Sequence, residues 1–165
     1  MAKLSGDGIV RYMHCWVEMY TVFIKMELCS DNLRNLIDNK PGYFNRTLSE
    51  PIDVLEHFIS CQIFNELLEC VQYLHESIPP IIHRDLKPQN ILISKNNKNR
   101  NCLKICDFGL ATFHEGSSMS HSKDIGTFVY MAPEVLDPRS KYDIKADIFS
   151  LGIITREIFN VNLEM

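Results

Sequence analysis

Long hydrophobic runs and a strong excess of either charge are both missing from this sequence of 165 residues. No apolar segment approaches the roughly 18 to 20 residues that a membrane-spanning helix needs, and residues 1–8 lack the apolar core of a signal peptide. Lysine and arginine number 17 against 21 aspartate and glutamate residues, so the net charge of −4 excludes a strongly basic nucleic-acid binder. Because 45% of residues are hydrophobic and 23% are charged, we expect one soluble domain, without a membrane or direct nucleic-acid partner.

The six cysteines are not arranged as metal ligands or as a disulfide framework. None of them forms a Cys-x-x-Cys pair, and no grouping of cysteine and histidine has zinc-finger spacing. Unpaired cysteine packs as a small hydrophobic residue, and scattered cysteines are typical of a reducing compartment. The sequence therefore predicts free, buried thiols in the cytosol or nucleus, and we take the cytoplasm as the expected location.

Two segments near the start have the composition of β-strands. Residues 9–17 and 20–28 are rich in β-branched and aromatic residues and lie close together, which predicts antiparallel strands joined by a tight turn. Apolar residues then have helical spacing over 33–37, and the Pro-Gly pair at 41–42 is expected to end that short helix.

Two longer helices are predicted farther along the chain. Apolar side chains recur every three or four residues over 53–76, and the Pro-Pro pair at 79–80 stops this amphipathic helix. Asp53 and Ser49 are equally good candidates for its N-cap. Residues 146–159 are apolar on nearly every side, so we expect this second helix to be buried.

Three short motifs occur in a fixed order in the second half of the chain. Residues 83–90 read HRDLKPQN, residues 107–109 read DFG and residues 132–134 read APE. Segments 91–94 and 103–106 predict a short hairpin between the first two motifs. The three motifs in this order resemble the catalytic domain of a eukaryotic protein kinase of the serine/threonine type.

The resemblance implies an α+β, protein-kinase-like fold with two lobes, of which the chain carries the middle part. Residues 1–29 would supply the last strands of the small lobe and the hinge, and residues 30–165 the large lobe through its buried central helix. The family's G-x-G-x-x-G-x-V loop, its V-A-I-K strand and the following helix with a partner glutamate are missing, as are the helices that should follow Phe159. The resemblance therefore predicts a truncated kinase domain.

The resemblance also assigns catalytic roles to polar residues of the motifs. Phosphoryl transfer depends mainly on positioning and on charge neutralisation around the γ-phosphate. By resemblance, Asp85 accepts or orients the proton of a substrate hydroxyl, while Asn90 and Asp107 supply oxygen ligands for Mg²⁺. Lys87 matches the lysine that serine/threonine kinases place against the γ-phosphate, and the Thr127 hydroxyl is expected to bond Asp85 and Lys87. The implied cofactors are ATP and Mg²⁺, and the implied partner is a protein with a Ser or Thr acceptor.

Nonpolar segments are assigned to nucleotide binding in the same way. Backbone groups of Glu27 and Cys29 would face adenine at the hinge, while Leu92 would pack against the ring. Side chains that match the regulatory spine of the family, with its aspartate anchor, are Tyr12, His83, Phe108 and Asp147.

A polar segment between the DFG and APE motifs resembles an activation loop. A phosphate there would add nearly two negative charges, with which Arg84 could pair bidentately. Ser122 is the first candidate for phosphorylation and Ser120 the second. The alternative is that these serines only keep the loop soluble.

Two interpretations of function remain open at this stage. The chain is either part of an active kinase, or a short non-catalytic binding module that engages a kinase or its substrate. Without the glycine-rich loop and the ATP lysine, we expect weak or no activity from the 165 residues. Stretches around residues 8–16, 26–29 and 147–154 look most like the kinases that phosphorylate the alpha subunit of translation initiation factor two, with a NIMA-like or other serine/threonine kinase as the alternative.

Overall fold

The fold combines short antiparallel sheets with two long helices. The computed structural model describes residues 6–95, 103–108, 112–113, 125–136 and 143–161. Its strands are β1 (Tyr12–Glu18), β2 (Thr21–Met26), β3 (Asp31–Asn32), β4 (Ile81–Ile82), β5 (Ile91–Ile93), β6 (Leu103–Ile105) and β7 (Thr112–Phe113). Its α-helices are α1 (Leu33–Tyr43), α2 (Val54–His75), α3 (Pro133–Leu136) and α4 (Lys145–Ile158), with 3₁₀ turns at Pro88–Asn90 and Ile125–Tyr130.

The first two strands form the antiparallel hairpin that the sequence predicts. Glu18 pairs with Thr21, so only Met19 and Tyr20 connect the strands. Both connecting residues have positive φ, 45° and 65°. Two successive left-handed residues match the right-handed twist of the flanking strands, and this is why the turn can be so short. The strands are shorter than the predicted segments 9–17 and 20–28.

The second predicted hairpin is also confirmed. Strand β5 pairs with β6, with Ile91 opposite Ile105, and β3 adds to the other edge of β5. Ile9 forms an isolated parallel bridge with Ile105, which attaches the start of the chain to this sheet. Strands β4 and β7 form a separate antiparallel pair that the sequence analysis did not predict.

Helix α1 ends at Tyr43, one residue after the Pro-Gly pair at which the sequence predicts its end. Asn32 caps its start by accepting a hydrogen bond from Asn35 N at 2.9 Å, and the helix continues to Tyr43. Proline at 41 removes only the one backbone donor that it lacks. Phe44 N still donates to the carbonyl of Pro41 at 3.2 Å, so the last turn closes beyond the proline.

The open choice of N-cap for α2 is resolved in favour of Asp53. Its Oδ1 accepts a hydrogen bond from Glu56 N at 2.7 Å, which is the usual N-cap interaction. The reciprocal half of a capping box does not form, because the carboxylate of Glu56 binds Lys40 and Arg46 instead. Ser49 is exposed and does not cap the helix.

The main core lies between α2, α4 and the sheet that contains β5 and β6. Its buried side chains include Leu67, Leu74, Ile91, Ile105, Leu151, Ile154 and Ile158. The prediction that α4 is buried all round is wrong, because Ile148 and Phe149 are 50% and 40% exposed. The buried side chains of α4 face α2, the 3₁₀ turn Ile125–Tyr130 and the loop after β4. Within the described ranges, no helix combines the length and apolarity that crossing a membrane requires.

The cysteines for which the structure gives a state are free thiols, as predicted, but not all of them are buried. Cys70 is buried and Cys29 and Cys106 are half-buried, whereas Cys15 and Cys61 are exposed. Cys61 lies on the solvent-facing side of α2, whereas Cys15 lies on β1, which is exposed on both faces from Met13 to Glu18. Cys102 lies outside the described residues.

Candidate active site

The HRDLKPQN segment forms a loop between β4 and β5, and Asp147 of α4 holds its first residues. Asp147 Oδ2 accepts a hydrogen bond from His83 N at 2.9 Å, and Oδ1 accepts one from Arg84 N at 2.9 Å. His75, at the end of α2, donates from Nε2 to the same carboxylate at 2.9 Å. Asp147 is fully buried, so these donors replace the water that its charge loses. Asp147, which the resemblance gives as the aspartate anchor of the regulatory spine, thus binds the backbone of the spine residue His83.

Arg84 adopts a left-handed backbone conformation, with φ of 67°. This region is costly for a residue with a β-carbon, by about 1–2 kcal/mol. The hydrogen bonds to Asp147 on its own N–H and on that of His83 offset the cost and set the direction of the loop. Arg84 is buried, at 4% exposure.

His83 connects this loop to the strand end that carries Asp107. Its Nε2 donates to the carbonyl of Cys106 at 2.9 Å, and its Nδ1 accepts from Asp85 N at 3.3 Å. One donating and one accepting nitrogen are what a neutral imidazole provides. Burial lowers the pKa of His83, although the Cys106 carbonyl opposes that effect. The Phe108 ring lies edge-on to the imidazole, with 5.1 Å between ring centroids.

Lys87 and Asn90 both contact the side-chain carboxylate of Asp85. Asp85 Oδ2 lies 3.1 Å from Lys87 Nζ and accepts a hydrogen bond from Asn90 Nδ2 at 3.0 Å. Asn90 Nδ2 also donates to the Asp85 carbonyl at 2.9 Å. The other carboxylate oxygen, Oδ1, is buried and accepts no hydrogen bond from the described residues. A buried acceptor in this state suits a donor that arrives from outside the chain.

Asp107 lies two residues after the end of β6 and is brought to the same region by its neighbour Cys106. Cys106 N donates to the carbonyl of Asn90 at 2.9 Å, and the Cys106 carbonyl accepts from His83. The Asp107 backbone is left-handed, with φ of 61°, and its side chain is exposed. Because the amide nitrogen of Asn90 is engaged by Asp85, its amide oxygen is the atom left to bind a cation. A carboxylate and an amide oxygen form a donor set that suits Mg²⁺.

The predicted hinge residues lie between β2 and β3. Glu27 N donates to the carbonyl of Arg11 at 2.9 Å, so its N–H is engaged and only its carbonyl can face a nucleotide. Cys29 is half-buried, and burial raises the pKa of its thiol, with the Glu27 carboxylate adding to the effect. Leu92 is half-buried on β5, directly opposite Lys104 on β6.

Lys104 is a residue that the sequence analysis missed. It is buried, at 6% exposure, and its Nζ donates to Glu27 Oε1 at 2.7 Å. The available signal was a lysine flanked by apolar residues in a strand that the pattern predicts to be buried, because a buried lysine requires a partner. The identity of that partner, 77 positions away, could not be read from the pattern.

A second polar network, also unpredicted, holds the segment before the APE motif. Tyr130 donates from its hydroxyl to Glu157 Oε1 at 2.6 Å, and Ser150 Oγ donates to the Tyr130 carbonyl at 2.7 Å. Arg34 of α1 forms an ion pair with the same glutamate. Burial raises the pKa of Tyr130 to about 12, and the bond to Glu157 adds to the effect. Thr127 lies in the 3₁₀ turn that Tyr130 ends.

Several sequence predictions are not tested by these contacts. Ser120 and Ser122 lie outside the described residues, as does the side chain of Thr127. Tyr12 is half-buried on β1 and Phe108 is half-buried beside His83. The pairing of Arg84 with a phosphate stays a prediction.

Comparison with known proteins indicates the family to which this chain is similar. A sequence model described as the protein kinase domain matches residues 1–163. The dual specificity mitogen-activated protein kinase kinase jkk-1 of Caenorhabditis elegans is 37% identical over 115 residues, which cover 68% of this chain and 25% of that protein. The serine/threonine-protein kinase KIC1 of Saccharomyces cerevisiae is 35% identical over 156 residues, which cover 94% of this chain and 13% of that protein.

A third relative covers nearly the whole chain. The interferon-induced, double-stranded RNA-activated protein kinase of Rattus norvegicus is 30% identical over 181 aligned positions, which cover 98% of this chain and 32% of that protein. The chain thus spans a third or less of the length of each of these three proteins.

Proposed function

This chain belongs to the protein kinase domain family, and we propose that it transfers the γ-phosphate of ATP to a serine or threonine hydroxyl of a protein. The predicted fold class, an α+β partial kinase domain, is confirmed by the family match together with the described elements. The observation that carries the proposed activity is the state of Asp85. One of its oxygens is held by Lys87 and Asn90, and the other is buried and accepts no hydrogen bond from the described residues.

The proposed roles follow from these contacts. Asp85 Oδ1 would accept the hydrogen bond of the acceptor hydroxyl and orient its oxygen for attack, as a carboxylate does in phosphoryl transfer. Lys87 lies close enough to Asp85 to place a positive charge where the transferred group develops negative charge. Asp107 and the amide oxygen of Asn90 would hold Mg²⁺. When bound, that ion would supply neutralisation of the phosphate charge.

The finer assignments are also proposals. By resemblance to serine/threonine kinases, Lys87 and the dipeptide Gly126-Thr127 both support Ser or Thr rather than Tyr as the phosphate acceptor. We propose the alpha subunit of translation initiation factor two as the substrate, supported by the sequence stretches named above. Phosphorylation of Ser122 or Ser120, read by Arg84, is the proposed regulation, and the scattered cysteines support a cytoplasmic location.

Nucleotide binding by the purified chain provides the first test. We expect calorimetry to detect ATP binding that strengthens with Mg²⁺, and Asp107→Ala to remove that dependence on Mg²⁺ because a carboxylate ligand is lost. The matched control is Asp7→Ala, an exposed aspartate outside the site. Equal binding with and without Mg²⁺ in the unsubstituted chain would contradict the proposed metal site.

Phosphate transfer provides the second test and concerns Asp85 directly. The assay follows labelled γ-phosphate into the alpha subunit of initiation factor two and into a general serine-rich protein substrate, with the longest natural protein that contains this chain. Asp85→Asn keeps the shape of the side chain and removes its negative charge. We expect transfer to fall by about 10²-fold or more while ATP affinity is unchanged. Transfer that survives this substitution would refute the role of Asp85.

A further inference from the structure

A single carboxylate joins the proposed hinge to two other segments. Glu27 Oε1 accepts hydrogen bonds from Lys104 Nζ and from Arg11 N, both at 2.7 Å. Glu27 N donates back to the Arg11 carbonyl at 2.9 Å. Among the described residues, the other backbone attachments of the segment between β2 and β3 come from Ser30, whose N and Oγ donate to the Ile93 carbonyl. The Glu27 side chain is therefore the attachment that links this segment to β6, beside the backbone bond to Arg11 and the bonds of Ser30 to β5.

Lys104 occupies a place from which it can align the two sides of a nucleotide site. It lies directly opposite Leu92 in the β5–β6 ladder, and opposite residues project from the same face of a sheet. Leu92 is the residue expected to contact adenine. Three positions after Lys104 comes Asp107, the proposed metal ligand, attached through Cys106 to His83 and Asn90.

The burial of Lys104 explains why it pairs with the carboxylate of Glu27. Lys104 is 6% exposed, and a cation at that depth requires a compensating anion. Burial by itself would raise the pKa of Glu27, yet the hydrogen bonds from Lys104 and Arg11 hold that pKa below its usual value. The carboxylate of Glu27 is thus favoured in its ionised form, which is the form that pairs with the buried Lys104.

We propose that Lys104 is a positioning residue for nucleotide binding, which acts through Glu27 to hold the backbone of residues 27–29 at a fixed distance from Leu92 and Asp107. This inference rests on the proposed function, because it concerns the adenine side of that site. Lys104 touches no substrate in this role. Its loss would leave the metal and phosphate side in place and displace the hinge.

The test separates the adenine side of the site from the phosphate side. Lys104→Met keeps the aliphatic stem and removes the charge. We expect its Kd for ATP, measured by calorimetry with the full chain and Mg²⁺, to rise about tenfold, the equivalent of one lost hydrogen bond. The Kd for inorganic tripolyphosphate, which has no adenine, should change less than about twofold. Lys104→Arg, which retains the charge, should recover most of the ATP affinity.

A matched control and a second measurement make the outcome decisive. Lys25→Met removes an exposed lysine two residues before Glu27 and should leave both Kd values unchanged. Amide hydrogen exchange, which needs no nucleotide, should accelerate at Arg11 and Glu27 in Lys104→Met, with α2 unaffected. Equal ATP affinity and equal amide exchange in the two methionine variants would refute this inference but not the proposed function. So would equal weakening of ATP and tripolyphosphate, since that indicates general destabilisation. Failure of the unsubstituted chain to bind ATP would overturn the proposed function as well.

Discussion

Replacement of Asp147 by alanine is the sharpest test of how the catalytic loop is held. The substitution removes the acceptor for two backbone N–H groups, those of His83 and Arg84, and the partner of His75 Nε2. His83 and Arg84 are 0% and 4% exposed, so water cannot replace the lost acceptor without a rearrangement. Each buried donor left unsatisfied costs about 1–3 kcal/mol.

The two backbone donors together predict a loss of roughly 2–6 kcal/mol in the free energy of unfolding. Without these hydrogen bonds, Arg84 can leave its left-handed conformation, which costs about 1–2 kcal/mol. This relaxation of the loop recovers part of the lost free energy, so the loss falls in the lower part of that range. A domain has about 5–15 kcal/mol of stability in all. We therefore expect Asp147→Ala to be folded only marginally.

Urea denaturation followed by circular dichroism measures this loss. The control is Asp143→Asn, which lies just before α4 and whose Oδ1 accepts from Lys145 N at 2.7 Å. Asparagine keeps a side-chain oxygen that can accept this hydrogen bond, so the control should lose less than about 0.5 kcal/mol. A free energy of unfolding for Asp147→Ala within about 1 kcal/mol of the control would refute the assignment of Asp147 as the anchor of the loop.

Three further predictions concern a buried ion cluster, the pH dependence of stability and the activity of the chain. Glu56→Gln leaves the cations of Lys40 and Arg46 without their shared buried anion. Urea denaturation should therefore show a loss of about 3–5 kcal/mol in the free energy of unfolding. Glu69 is exposed on the same helix, and a loss no greater than that of Glu69→Gln would contradict this prediction. Because burial lowers the pKa of His83, the unfolded chain binds a proton first as pH falls through about 6.5. Stability should therefore decline from pH 7.5 to 5.5, and His83→Phe should decline less over the same interval; equal declines would show that His83 does not titrate in this way. Since the sequence contains no glycine-rich phosphate loop, the 165-residue chain should transfer phosphate from ATP poorly, and robust transfer that Asp85→Ala abolishes would prove this expectation wrong.

Much of the fold was predictable because its signals are local. The β1–β2 hairpin and the β5–β6 hairpin follow from short β-rich segments with a break between them, and α2 follows from apolar periodicity. The end of α1 at Tyr43 lies within one residue of the Pro-Gly pair that predicted it, because a proline disrupts the helix locally.

The candidate site likewise contains residues that the sequence motifs predicted and one residue, Lys104, that they did not. The order of the HRD, DFG and APE motifs identified Asp85, Asn90 and Asp107 as candidates, and the structure brings Asp85, Lys87 and Asn90 into direct contact. Lys104 was missed because its importance depends on Glu27, which lies 77 positions earlier.

The amino-acid sequence by itself determined the protein family, the periodic elements and the loop that carries the candidate catalytic residues, because each depends on residue types within a few positions of one another. Only the tertiary structure decided that Lys104 pairs with Glu27, 77 positions earlier, and that the Glu56 carboxylate binds two cations rather than its own helix cap. The choice between these partners depends on which charged groups lose water together, and that is settled only when distant segments pack against each other.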